Sequence, residues 1–96
     1  MPDPLSIRHE AAEHRFAVTL PGGEGKLLYE VRAPAVLDLH YTEVPSALRG
    51  QGIAGALVEA ACEYARAREL RLIPSCSYVA WWFSQHPEQR DLLHAG

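Results

Sequence analysis

The hydrophobic period of this chain changes once, at Pro45, and that change limits the possible folds more than any other feature. Before it, apolar residues recur at every second position. In HRFAVTL (14–20), Phe16, Val18 and Leu20 share one face. In AVLDLHYTEV (35–44), Val36, Asp38 and His40 alternate with Leu37, Leu39 and Tyr41. LSIRHE (5–10) alternates weakly, and KLLYEVRA (26–33) supplies a further strand. The turn cluster PGGEG (21–25) and the break at Ala33-Pro34 leave only tight connections, so the four strands read as an antiparallel meander.

After Pro45 the period becomes 3.6 over residues 51–68. Ile53, Leu57 and Ala61 form one row, and Ala54, Val58, Cys62 and Ala65 form the next, which gives a helix with one apolar face. Glu59, Glu63 and Arg66 lie on the other side, the last two at a favourable i,i+3 spacing. ELRLIPSC (69–76) reads as a buried strand and YVAWWFSQ (78–85) as a short aromatic helix. PEQRDLL (87–93) reads as a last helix begun by proline. A strand, a glycine-rich turn, a helix and a strand make a β-α-β unit with parallel strands. The expected fold is therefore α+β, a mixed and largely antiparallel sheet carrying such a unit. With 96 residues it forms a single domain over 1–96, with its core at about 5–93.

The remaining composition narrows the functional classes. A hydrophobic fraction of 48% and a net charge of −3, without any basic stripe, argue against nucleic-acid binding through phosphate neutralisation. No apolar run approaches a membrane span, and the N-terminal MPDPLSIRHE lacks the apolar segment of a signal peptide. Cys62 and Cys76 read as two free thiols of a reducing compartment. A soluble cytoplasmic protein without a metal is the expectation.

The turn RGQGIAG (49–55) then carries the chemistry. A glycine-rich turn that runs into a helix N-terminus is an anion site, because the first helical amides have no intrahelical partners and the dipole favours negative charge. Arg49 adds a positive charge there, although tight helix–sheet packing also selects glycine. A P-loop would need Lys-Ser/Thr after its last glycine, and Gly55 is followed by Ala56-Leu57. A dinucleotide fold would need an acidic residue closing the next strand, which ends IPSC.

RGQGIA resembles the acyl-CoA signature of the GNAT N-acetyltransferase superfamily, Arg/Gln-x-x-Gly-x-Gly/Ala, here Arg49, Gly52 and Ala54. The VP before it and the apolar helix after it fit as well. YTEVPSALRGQGIAGALVEAACEYAR, LIPSCSYVAWWFSQHPE and DLL are together similar to the small single-domain GNAT-type group, over roughly residues 14–93. The resemblance implies acetyl-CoA as cosubstrate and a primary amine as acceptor. It implies that amides around Gly50, Gln51, Gly52, Ile53, Ala54 and Gly55 hold the pyrophosphate, and that the strand edge at Glu43-Val44 pairs with the pantetheine arm. His86 is a further candidate for cofactor contact.

The same resemblance exposes a departure. On the family pattern Asn-x-x-Ala-x-x-Phe-Tyr, Ala80 and Phe83 are in register, but Ser84 stands where the tyrosine acid belongs and Ser77 where the asparagine belongs. Cys76, Tyr78 and His86 are the candidates to fill that gap. Cys76, at the end of the fifth strand, would be an acyl-accepting nucleophile or a proton donor; the alternative is a small buried hydrophobe. Glu43 is the candidate general base, against a solvated strand carboxylate, and His40 is placed on the face opposite Glu43. Larger members wall in their acceptor with two helices between the first two strands. Only AAE separates those strands here, so the acceptor side is expected to be open to a protein lysine or N-terminus, or closed by a second copy in a homodimer. The competing class is a non-catalytic acyl-CoA-binding or protein-interaction module.

Overall fold

A computed structural model describes residues 6–94. The strands are β1 (Arg8–Glu10), β2 (Arg15–Leu20), β3 (Gly23–Ala33), β4 (Val36–Glu43) and β5 (Arg71–Ile73), and the helices are α1 (Ile53–Arg68) and α2 (Ser77–Gln85). They form one five-stranded sheet in sequence order, antiparallel through β4 and parallel between β4 and β5. This is the mixed α+β architecture that the change of period implies. Leu5, where the first strand was expected to begin, lies outside the described residues.

Cross-strand register explains the two layers. Phe16 opposes Leu27, Val18 opposes Gly25 and Tyr29 opposes Leu39, so these residues line one face of the sheet. Ile53, Leu57, Val58 and Ala61 of α1, with Val79, Trp82 and Phe83 of α2, close that face into a single core. The opposite face carries no helix among the described residues. It is latticed with ion pairs, including Arg8–Glu24 and Lys26–Glu43, which in such exposed positions add little stability.

Several boundaries differ from the expectation, each for a local reason. The turn after β2 shrinks to Pro21-Gly22, and Gly23, Glu24 and Gly25 extend β3 instead. Gly25 is needed inside that strand because a Cβ would stand 3.0 Å from the Ile53 side chain. β5 keeps only three of the eight residues expected, since Pro74 has no amide to continue the ladder. The last segment is a 3-10 run over Pro87–Leu92 and not an α-helix. Arg66 ties it to α1 by donating to both carboxylate oxygens of Asp91, at 2.9 and 3.1 Å.

A bulge in β4 matters most for function. Leu28 opposes Tyr41 while Tyr29 opposes Leu39, so His40 is an extra residue that the ladder skips. Strict alternation therefore fails across it, and with it the argument that put His40 opposite Glu43. Tyr41 does not share the face of Leu39; it moves to the open face with Leu28, and Thr42 turns toward the helices. A second shift leaves Arg32 outside the register, where its guanidinium reaches the buried Asp38 at 2.8 Å.

β1 is short, and His9 anchors it. The imidazole stacks on Phe16 at 4.3 Å and shares a 2.6 Å hydrogen bond with the Tyr29 hydroxyl. Burial, with Arg68 nearby, lowers its pKa below the ordinary 6.5. The fold therefore favours the neutral ring. Its contribution to stability is full above pH 6.5 and is lost as pH falls through the lower folded value. Melts between pH 8 and pH 5 should show a steeper acid loss for the native chain than for His9→Gln. Parallel curves would remove His9 as the cause.

Candidate functional site

The turn between β4 and α1 is built by backbone conformation. A 3-10 turn over Ser46–Leu48 leads to Arg49, and Gly50 and Gly52 follow with φ of 83° and 75°, the left-handed region that side chains avoid. A Cβ at either glycine would meet nothing within 4 Å, so packing is not what excludes a side chain there. Gly52 caps α1 without any side-chain cap, and the first internal bond runs from the Ala56 amide to the Gly52 carbonyl at 3.0 Å. The amides of Ile53, Ala54 and Gly55 thus lack helical partners. Gly55 is a glycine for another reason, since a Cβ there would lie 3.3 Å from Trp82 Nε1 and 3.4 Å from the Tyr78 hydroxyl. It lets α1 and α2 approach.

Three cavities meet around this turn. The first, of about 200 Å³, is lined by Val44, Arg49, Gly50, Gly52, Ala54 and Gly55, among others, with Tyr78 across from them. A second, of about 350 Å³, shares Val44, Arg49, Ala54 and Tyr78 with the first and extends to Thr42. A third, of about 470 Å³, shares Gly52 and Gly55 with the first and continues along α1 to Glu59, Glu63, Trp82 and His86. Shared walls make them one track over the helix N-terminus.

Thr42 leads from this track to Cys76. Pairing between β4 and β5 ends at Asp38 and Ile73, and beyond Pro74 the strands part. Cys76 closes the gap at its root: its amide donates to the Leu39 carbonyl at 2.9 Å, and its Sγ lies 3.5 Å from Thr42 Oγ1. Burial raises the thiol pKa. The Thr42 hydroxyl and the amides of Val79, Tyr78 and Thr42 outweigh that effect, and the net pKa falls below 9.0. Tyr78 behaves oppositely: burial raises its pKa and keeps the phenol protonated. Cys62, deep in the core, is pushed up to about 12 and is inert.

A model of the GCN5-related N-acetyl-transferase family matches residues 15–92. The chain is 33% identical over 93 residues to Protein NATD1 of Gallus gallus, covering 95% of this chain and 84% of that relative. It is 34% identical over 86 residues to Protein NATD1 of Homo sapiens, covering 88% and 76%. The chain belongs to the GCN5-related N-acetyltransferase family. An NMR structure of a GCN5-like protein from Staphylococcus aureus superposes with a TM-score of 0.77 at 23% identity, covering 99% of this chain and 93% of the other, which shows the shared fold.

On this acetyltransferase fold, the expected site residues do not all fall together. Val44, Arg49, Gly50, Gly52, Ala54, Gly55 and Tyr78 come together around the first two cavities, with Cys76 beyond Thr42. Ile53 is 2% exposed with its side chain in the core, so what it can offer a ligand is its amide; Gln51 is exposed and lines none of the three cavities. Glu43 stands apart. It opposes Lys26 on the open face, 3.4 Å from the ammonium, on the other side of β4 from Thr42 and Cys76. His86 lines the third cavity, its ring stacked 3.8 Å from Trp82 and its Nδ1 2.8 Å from the Trp82 carbonyl. Sequence reasoning missed Thr42, which the bulge at His40 turns toward the helices, and it missed Glu59 and Glu63 as cavity walls. No helix among the described residues is long and apolar enough to cross a membrane.

Proposed function

We propose that this chain is an acetyl-CoA-dependent N-acetyltransferase that moves an acetyl group to a primary amine. The observation that carries the reading is the track itself, from the left-handed Gly52 turn to the parting of β4 and β5 at Thr42 and Cys76. The amides of Ile53, Ala54 and Gly55 and the Arg49 side chain suit the pyrophosphate, and the missing Cβ atoms of Gly50 and Gly52 leave room for it. The β4 edge at Glu43-Val44 suits the pantetheine amides. Acetyl-CoA supplies a thioester carbonyl for attack.

Two groups of the chain then have complementary roles. The Cys76 side chain, more acidic than usual, attacks as its thiolate, takes the acetyl group as the bond to the CoA sulfur breaks, and is released again as thiolate when the amine takes the acetyl group. The Tyr78 phenol, held protonated and shared by both cavities, donates a proton to the departing CoA thiolate. The tyrosinate so formed takes the proton of the incoming amine directly or through water, while Glu43, across β4 from the thiol, is left to its ion pair with Lys26. The short Ala11–Glu13 connection suits a bulky acceptor, such as a protein lysine or N-terminus. Two cysteines kept as thiols suit the cytoplasm.

The first test is a thermal-shift screen across CoA esters. At a hundredfold excess over Kd, acetyl-CoA adds about 2.7 kcal/mol to stability, which for a domain of this size raises Tm by roughly 10–20 °C. No shift at millimolar concentration would sink the reading. A second reading has one observation in its favour: Ser84, at the family's tyrosine position, donates to the Trp81 carbonyl at 2.6 Å and lines none of the three cavities. Tight binding with no CoA release on any amine would make the chain a non-catalytic acyl-CoA-binding module.

A further inference from the structure

The third cavity extends the track away from the thioester, and its walls differ from those of the other two. It carries no lysine or arginine. Glu59 and Glu63, one helical turn apart, face it, and neither forms an ion pair among the described residues. Opposite them stands an aromatic wall in which His86 stacks on Trp82 at 3.8 Å. Trp82 is 4% exposed, and its Nε1–H, which has no hydrogen-bond partner among the described residues, is not among the fully buried polar atoms and so stays open to the cavity. That N–H lies beside Gly55, the residue common to the first and third cavities. An open donor at the junction of two cavities, on a ring otherwise buried, is placed for an acceptor atom on a ligand running between them.

We infer that the third cavity takes the adenosine end of CoA and selects against the 3′-phosphate, so that dephospho-CoA esters serve this chain at least as well as CoA esters. The inference rests on the acetyl-CoA reading above. With the pyrophosphate on the Gly52 turn, the nucleoside has a continuous path into this cavity. His86 presents a flat ring backed by Trp82, the kind of surface on which a base stacks. Trp82 Nε1–H donates to an oxygen at the junction. Ionised carboxylates only accept hydrogen bonds, so Glu59 and Glu63 suit the 6-amino group of adenine and the ribose hydroxyls. For the same reason they repel a phosphate. The group that distinguishes CoA from dephospho-CoA is therefore directed out to solvent.

Three acetyl thioesters test this by calorimetry at low and physiological salt: acetyl-CoA, acetyl-dephospho-CoA and S-acetyl-pantetheine 4′-diphosphate, which keeps both bridging phosphates and lacks only the nucleoside. Both nucleotide-bearing esters should bind at least about tenfold tighter than the pantetheine diphosphate ester, the size of one base on an aromatic surface. At low salt the dephospho ester should lead acetyl-CoA by about threefold, a gap that closes as salt screens the carboxylates. The double variant Glu59→Gln/Glu63→Gln, changed only on an exposed helix face, should abolish that lead. Equal binding of all three esters overturns the adenosine site and leaves the acetyl-CoA reading standing. A tenfold advantage for acetyl-CoA over the dephospho ester overturns the selectivity. Binding of none overturns both readings together.

Discussion

Cys76→Ala is expected to lower acetyl transfer at least about a hundredfold, the range over which nucleophilic and proton-transfer groups act, with acetyl-CoA affinity unchanged within about twofold. The asymmetry follows from position: Cys76 lies past Thr42, at the far end of the track from the Gly52 turn. Removing its sulfur removes no pyrophosphate contact. The thiol pKa lies below the usual 9.0, because the Thr42 hydroxyl and nearby amides outweigh the effect of burial. The thiolate fraction, and with it transfer, should rise with pH up to that lowered value and then level off. Cys76→Ser keeps size and hydrogen bonding and loses the nucleophile, so it should behave like the alanine variant if the thiol carries the acetyl group. Intact-mass measurement after mixing with acetyl-CoA should find one acetyl on the native chain and none on either variant. Unchanged turnover in Cys76→Ala together with a large loss in Tyr78→Phe would replace the relay by direct transfer, with the tyrosine as acid.

Much of this site was legible in the sequence because it depends on backbone conformation, and glycine spacing reports backbone conformation. The left-handed angles at Gly50 and Gly52 and the uncapped start of α1 follow from RGQG placed before a helical period. The layers of the fold follow from the change of period at Pro45. What could not be read was register. One skipped residue, His40, exchanges the faces of every position after it in β4, so Tyr41 went to the open face and Thr42 to Cys76. Nothing in the local pattern AVLDLHYTEV marks that bulge. The third cavity was hidden for a related reason: Glu59 and Glu63 look like ordinary solvent-facing residues of an amphipathic helix until α2 is placed beside them. The 3-10 ending over Pro87–Leu92 shows the limit of pattern in short segments, where Leu92 is buried but the run is too brief to settle its own hydrogen bonding.

Gly52→Val is expected to weaken acetyl-CoA binding at least about tenfold, about 1.4 kcal/mol, and to destabilise the fold by about 1–2 kcal/mol. The two losses have separate causes. The stability loss comes from the backbone: φ is 75°, a region a β-branched residue avoids, and relieving it requires the cap of α1 to move. The Cβ itself adds no clash, since at this position it meets nothing within 4 Å. The binding loss comes from that same open space, which borders both the first and third cavities and would then hold an isopropyl group where the pyrophosphate is expected. Gly52→Asn separates the two, because asparagine tolerates the left-handed region far better than valine. It should lose little stability and most of the affinity. Gly55→Ala is the converse case: helix propensity gains up to about 1 kcal/mol, set against contacts of 3.3 and 3.4 Å with Trp82 and Tyr78. Thermal melts give the stability changes, and titration with acetyl-CoA gives the affinities. A Gly52→Asn variant that binds acetyl-CoA at full strength would show that the space above the turn is not where the ligand lies.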